Sequence, residues 1–590
     1  MNGPAARSSD LPKDGVSPST TQNPGSQAAA IQVAFAGHNR APHLGNTATV
    51  AARLIAAFEL LRAAGIQHAR LLSGLAEGAD AMAATAWRKV GLGPIHAVYP
   101  YLKSKPDGHS RTPIESSTWL DGVAMEAAGR SAHLAQTRWL ISAADILVVV
   151  WDGDPGRGAG GTADAVRLAL EHNVPVIWIQ PASPTGIRLI RPDLLNDDFG
   201  FLEFLEQVQH ELDNTVVEAT AADIQSAISD RGGWPDSLPL TVPPSRSRRL
   251  EWLHAALHRT IWQTYALFCR VVGGKANSAL TAPATPEDLA AQKGFIIFTE
   301  AQGHADEQAN HIAAIHRSQQ ILLLAAAIVA AAVGTSPTVW TDHALIPWAA
   351  GLELCLAILA LLIVSGARRA GRHEKWGRSR RLAEQLRVER AAWALGMSSI
   401  DDRRNGAGHS ALAARKLRRA AGLASGAFDT DRVDRWGAWA MNEIVVSQAD
   451  YHHVHGRRNE RIAHRIHRFE GLCFVVFIAM LLVFTPLSIA ELKPLAPLIE
   501  KMHGVVIMVG AIVPAVGAAS LALEAILGFG DQSRRSHVLA KRLDEIHAAL
   551  GPNPRLDQLQ QAARAAIHLQ VSQEDRWSED AVRRRLFRGG

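Results

Sequence analysis

Between residues 31 and 180, short apolar runs rich in β-branched residues alternate with amphipathic stretches and Gly-bearing turns. The pattern predicts strands over 31–36, 69–72, 95–99, 146–151 and 174–179, and helices over 47–64, 80–90 and 162–172. Strands that alternate with helices predict a parallel sheet covered on both faces, an α/β Rossmann-like domain. Beyond it, from 193 to 310, helical pieces broken at Trp234-Pro235 and Val242-Pro243-Pro244 read as a linker or adaptor.

Four apolar runs of another kind follow. The first, 321–334, extends through Thr335-Ser336-Pro337 to Trp340, and the second, 346–364, contains one acid, Glu353. The third, 471–490, and the fourth, 504–523, carry no charge. Each is long enough to cross about 30 Å of hydrocarbon, so four transmembrane helices in two hairpins are expected. For the first run the alternative is a buried Ala-rich helix. The chain then divides into a tail 1–28, the α/β domain 29–192, the linker 193–310, a first hairpin with its cytoplasmic helix 311–400, a cytoplasmic helical segment 401–460, and a second hairpin with C-terminal helices 461–590.

Charge orients the hairpins. The connection 335–345 has no Lys or Arg, and 491–503 has only Lys493 and Lys501, whereas 367–469 carries 22 Lys+Arg against 11 Asp+Glu. The positive-inside rule places the N-terminus, the middle segment and the C-terminus in the cytoplasm, as expected of a multi-pass protein of the cytoplasmic membrane. The hairpins also look like copies about 150 residues apart: Ser379-Arg-Arg-Leu-Ala-Glu follows the first, and Ser533-Arg-Arg-Ser-His-Val follows the second.

Composition narrows the class. Of 590 residues, 47 % are hydrophobic and 20 % charged, which suits a membrane protein with soluble parts. The three cysteines, Cys269, Cys355 and Cys473, stand too far apart for a disulfide framework or a Cys-based zinc site. The net charge of +5 is modest for this length and speaks against a nucleic-acid binder. The first 28 residues lack the apolar core of a secretory signal and read as a disordered tail.

Candidate chemistry lies just after the predicted strands, where ligands of such sheets bind. The first strand ends in Gly37-His38-Asn39-Arg40, the second in Ser73-Gly74-Leu75-Ala76-Glu77-Gly78-Ala79-Asp80, and a later one in Trp151-Asp152-Gly153-Asp154. The loop from Gly156 through Arg157 to Gly160-Gly161-Thr162 opens a helix, with Asp164 in its first turn. Gly-bearing helix starts suit a phosphate, with Arg40 and Arg157 as charge-assisted donors, and they also serve as sharp corners. His38 is either a ligand contact or a satisfied structural group. Trp151 either stacks on a base or covers the sheet edge. Asp164 either meets a ligand hydroxyl or favours the positive end of its own helix.

The run Ser73–Asp80 resembles the S-G-x-A-x-G-x-D motif of the DprA type, and Ile146-Leu-Val-Val-Val-Trp-Asp152 followed by Gly160-Gly161-Thr162 resembles the second signature of the SLOG superfamily. The resemblance covers 31–180 and implies that these loops bind a nucleotide or a nucleotide-derived messenger such as a cyclic nucleotide or an ADP-ribose derivative, with no required cofactor. LOG enzymes, a related family, cleave an N-glycosidic bond using a glutamate where this chain has Ala165, so catalysis of that kind is not expected. A SLOG-like domain joined to two-span hairpins resembles antiviral effectors with SLATT-type membrane hairpins and, more loosely, the N-terminal sensor of TRPM channels. That resemblance implies a nucleotide-signal sensor coupled to an oligomeric, membrane-disrupting or ion-conducting effector in antiphage defence. A membrane-anchored nucleotide hydrolase and a membrane scaffold are the alternatives.

Within the spans, Glu353 is the main intramembrane charge and Glu524 sits at the cytoplasmic edge of the fourth. Both are candidates for a pore or subunit interface. Pro514, between Gly510 and Gly517, is either a gating kink or a close-contact feature. The stretch Tyr451-His452-His453-Val454-His455 reads as a solvated helix before the third span rather than a metal site, because adjacent histidines point in different directions.

Overall fold

The computed structural model describes residues 30–38, 43–101, 114–120, 129–156, 160–182, 186–192, 201, 204, 216–232, 263–274, 284–339, 346–369, 372–398, 409–489 and 496–586. The tail 1–28 and the ligand candidates Asn39, Arg40 and Arg157 lie outside them.

A nine-stranded sheet organises the N-terminal part, in the order β8-β7-β6-β5-β1-β2-β3-β4-β9. Its strands are β1 (Ile31–Gly37), β2 (Ala69–Ser73), β3 (Ile95–Tyr99), β4 (Ser116–Leu120), β5 (Ile146–Val150), β6 (Val176–Ile179), β7 (Arg188–Ile190), β8 (Val216–Glu218) and β9 (Gly426–Phe428). From β6 to β9 through β1 all pairs are parallel, but β6–β7 and β7–β8 are antiparallel, so the sheet is mixed rather than wholly parallel as the alternation predicts. The central strands are apolar throughout because both faces are buried. In β5, Ile146, Val148 and Val150 enter one core, and Leu147 and Val149 enter the other.

The first core is covered by α1 (Thr47–Ala63) and α2 (Ala79–Val90), whose Leu54, Phe58 and Trp87 are fully buried. The helix α1 starts at Asn46, whose side chain accepts from the Ala48 and Thr49 N–H groups. The opposite face carries α3 (Gly129–Ala143) and α4 (Thr162–Glu171) and then continues without a break into the helices that flank the spans. Trp139 of α3 meets Phe428 of β9 edge to face at 4.6 Å, and Phe428 meets Trp436 at 5.2 Å.

Two further helices, α5 (Ala221–Gly232) and α6 (Thr264–Gly273), precede the first hairpin. That hairpin is built from α7 (Lys293–Thr335) and α8 (Ile346–Arg369), followed by α9 (Arg372–Ala394) and α10 (His409–Ala421). The second consists of α12 (Ser447–Ile489) and α13 (Ala496–Leu527), preceded by α11 (Thr430–Met441) and followed by α14 (Phe529–Ala549) and α15 (Leu556–Leu586). The arrangement repeats: the 43-residue α7 lies along α9, and the 43-residue α12 lies along α14. Among the described residues, four helices are long and apolar enough to cross a membrane. At most 6 % of each apolar window is buried within the chain, and Leu361, Leu362, Leu482 and Val483 stand out with more than half of their surface uncovered. Such a belt is stable only in hydrocarbon or against other protein.

The segment between the hairpins is more than helical. It supplies β9 at the sheet edge, and one residue later α11 begins, capped by Asp429 accepting from the Arg432 N–H at 2.8 Å. A five-residue π turn, Asn442–Val446, then joins α11 to α12, so helix runs on from the sheet edge to the end of the third span.

Candidate functional site

Strand order reverses between β1 and β5, and the crevice beyond their carboxyl ends is where open α/β sheets bind ligands. His38 follows β1 and Asp152 follows β5, which brings two residues named from sequence together at this point. His38 Nε2 lies 3.1 Å from one Asp152 oxygen, and His43 Nδ1 lies 2.8 Å from the other. His43 was not legible as a partner, although it stands only five positions after His38. Burial alone would raise the Asp152 carboxyl, but the Asp154 N–H and the His38 and His43 rings outweigh it and hold the group below the usual range. His43, Asp152 and Asp154 each bring one ligand atom within 4.8 Å of the others, a spacing that suits a cation.

The turn after β2 is closed by its own residues. The Ser73 hydroxyl donates to Asp80 Oδ2 at 3.1 Å, and the Ala76 N–H approaches the same oxygen at 3.4 Å. Asp80 is buried, and burial pushes its carboxyl up to about 7 against these hydrogen bonds. Leu75 takes a left-handed conformation with φ 50°, and Gly78 has φ 89°. Gly37 has no room for a side chain, because a Cβ there would lie 2.5 Å from Ala79. Gly74 is pressed against Gln136 of α3 in the same way. Glu77 is exposed on the outside of the turn.

The second Gly-rich turn is also occupied by the chain. Gly160, at φ 82°, lies against the backbone of His133 and Leu134 in α3, so the close approach it permits is to a helix. Asp164 Oδ2 accepts from the Gly160 N–H at 2.7 Å, and Oδ1 pairs with Arg167 at 2.9 Å. Asp164 therefore stabilises its own helix start. Ala165 is buried, Thr162 is half-buried, and Gly161 is exposed at the N-cap of α4. Trp151 is buried, its Nε1 donating to the Asp154 carbonyl at 2.9 Å, which is a structural role.

In the hairpins, the Glu353 carboxylate faces Gly334 of the neighbouring α7, where a Cβ would come within 2.9 Å of it. Glu524 accepts from the Gly530 N–H at 2.8 Å and so caps α14 at the break where Gly528 turns left-handed. Pro514 lies inside a continuous α13, and its flanking Gly510 and Gly517 approach Met480 and Cys473 of α12 as close helix contacts. The histidine stretch differs from the solvated helix expected. His452 and His455 are half-buried and line a cavity between the hairpins, while His453 pairs with Asp544 at 2.8 Å.

The sheet is joined to α10 by one buried ion pair, and a second lies between α10 and α9. Arg419 of α10 meets Asp145 at 2.7 Å, and the other Asp145 oxygen accepts from the Gln32 N–H of β1 at 2.9 Å. Arg418 pairs with the fully buried Glu389 of α9 and donates to the Met397 carbonyl at 2.9 Å.

Over residues 301–405, which hold most of α7 and all of α8 and α9, the chain is similar to a family described as a protein of unknown function, DUF4231. No curated protein and no solved structure matches it.

Proposed function

We propose that the chain is a nucleotide-signal sensor whose sheet controls an oligomeric membrane effector that conducts ions or disrupts the bilayer. The observation that carries this reading is the continuity from β9 through α11 and the π turn into the third span. A ligand that shifts the sheet edge by binding one form more tightly acts on a membrane helix without crossing a flexible joint. Asp152, with His38 and His43, is the polar group of the switch point that meets the ligand. The exposed Gly161 at the start of α4 offers N–H groups to a phosphate. The nearly uncovered spans support assembly from several copies, because apolar helices left uncovered within one chain have surface to pack against other chains. The resemblance to antiviral effectors supports a role in antiphage defence, with the N-terminus, the middle segment and the C-terminus on the cytoplasmic side. The hydrolase alternative is less well supported: the position of the glutamate is a buried alanine, and Asp164 is engaged by its own helix.

The full chain in dye-loaded vesicles tests the reading. Cyclic nucleotides and ADP-ribose derivatives are added singly, and one of them is expected to release dye saturably. Asp152→Asn is expected to raise the concentration needed about tenfold, the size of one lost charge-assisted hydrogen bond. Release that ignores every nucleotide, or the same response in Asp152→Asn, would overturn it.

A further inference from the structure

The two hairpins meet through unlike helices. Among the described residues the spans pack as a row, with α8 on α7, α7 on α13 and α13 on α12. The inner joint of this row therefore sets the first helix of one hairpin against the second helix of the other. At its outer end stands Thr338, in the turn that follows α7, whose hydroxyl donates to the Gly504 carbonyl of α13 at 3.1 Å. A Cβ at Gly504 would collide with the Thr338 carbonyl, so the two backbones touch there.

The ends of the row are the same pair of helices once more. At one end stands α12, a first helix, and at the other α8, a second helix. Both turn apolar surface outward. On α12, Ile478, Leu481, Leu482, Thr485, Pro486 and Ile489 line an apolar groove. At about 100° per residue, this stripe points about 140° away from Cys473, Phe477 and Met480, which meet Gly510 and Gly517 of α13. On α8, Ala349 is buried and Leu356 and Ala360 are half-buried, whereas Ala350, Leu354, Ile358 and Leu361, about 130° round the helix, are exposed. The repeat also fixes a register. Counted from Ile-His-Arg at 315–317 and 466–468, Thr338 corresponds to Ile489, and counted from Ser-Arg-Arg at 379–381 and 533–535, Gly504 corresponds to Ala350. The two residues that touch at the inner joint thus have their counterparts on the two outward stripes.

We infer that the groove on α12 is the docking site for α8 of a second copy of this chain, in a joint that repeats the one between α7 and α13. The occupant follows from the repeat, because the same joint already exists once inside every chain between the corresponding helices. Such a joint brings unlike faces together, head to tail, and closes into a ring when the rotation at each joint divides a full turn. Each chain then contributes two hairpins, and first and second helices alternate around the whole ring. Because α8 and α12 run in opposite directions across the membrane, Ile489 meets Ala350 of the next copy at the outer end, and Thr485 meets Leu354 one turn deeper. The joint rests on the proposed assembly from several copies and gives that assembly its interface.

The test is thiol cross-linking of the full chain in membranes, by mild oxidation and a denaturing gel. Cys355, an exposed thiol of α8, is first replaced by alanine, and the buried Cys269 and Cys473 are kept. With Ile489→Cys and Ala350→Cys in one chain, a ladder of covalent species is expected, ending at the number of chains in the ring. Each substitution alone should leave monomers, and the two single variants made together should give a dimer and nothing larger. Thr485→Cys with Leu354→Cys should give the same ladder, which covers a first pair that does not fold. A dimer from Ile489→Cys alone as strong as that from the mixture would mean that like faces meet, and monomers from both double variants would mean that the two stripes stand apart. Either result overturns the joint. No nucleotide enters this experiment. A ladder without nucleotide-triggered dye release leaves the joint standing and ends the sensor reading, whereas triggered release without a ladder ends the joint and leaves the sensor reading standing.

Discussion

The turns at the sheet and the cavity between the hairpins are both polar, and they differ in what occupies them. At the sheet, the chain fills its own glycine turns: Gly74 and Gly160 admit α3, Asp80 is held by its own loop, and Asp164 by its own helix start. Among the described residues of these turns, the Asp152 cluster with its two histidines stays half-buried rather than closed. Between the hairpins, helices meet around a space and turn guanidiniums toward it. A dense motif therefore marks a corner that must be tight as readily as a place that must stay open, and only the neighbouring element decides which.

The largest effect is expected where the two regions are joined. Asp145→Ala leaves Arg419 buried with its main partner gone and should cost about 3–5 kcal/mol, read as a lower unfolding temperature of the full chain. An unchanged unfolding temperature would show that sheet and hairpins are held together by their apolar contacts alone. A smaller loss, about 2–3 kcal/mol, is expected for Gly160→Ala, which forces a Cβ into α3 at a left-handed position. Gly161→Ala, at an exposed extended position, should leave stability near that of the natural chain. Equal losses at both positions would mean that the second turn is not shaped by α3.

The smallest effect is a dependence on pH. Burial lowers His96, His452 and His455 to about 4, whereas in the unfolded chain such groups titrate near 6.5. Between those values the unfolded chain binds more protons, so stability is full above about 6.5 and falls as pH drops toward 4. The His452→Gln and His455→Gln pair should flatten that slope in a denaturation series across this window. A slope identical to that of the natural chain would remove the two histidines from the enclosed wall.

Much of the fold was legible, for reasons that the particular elements make plain. The strands β1, β2, β3, β5 and β6 are apolar runs, and each was read within two residues at either end. The four spans were legible because hydrocarbon demands long uncharged helices. The strand β4, Ser-Ser-Thr-Trp-Leu, was missed because its polar side chains serve the buried His96, with Ser116 at 2.6 Å and Thr118 at 2.8 Å. Three-residue β9 has no periodicity to detect, and its neighbour in the sheet lies some 300 positions earlier. At the candidate site, His38 and Asp152 were legible from their places after strands, whereas the arginines of the cavity share no local spacing. Their meeting depends on the angles at which five helices cross.

The π turn between α11 and α12 also constrains how this molecule is able to move. Such a turn holds one residue more than an α-helix needs over the same rise, and its carbonyls are loosened from the regular ladder. Here they are taken up from the side: Arg387 donates to the Glu443 carbonyl at 3.0 Å, and Gln570 to that of Ile444 at 2.6 Å. Returning the segment to a regular helix would swing everything beyond it by about 100° around the axis, or slide it by about 1.5 Å. Any motion passed from the sheet to the third span would have to take the form of a screw rather than a lever. Its thread is gripped by an arginine whose other neighbours line the cavity.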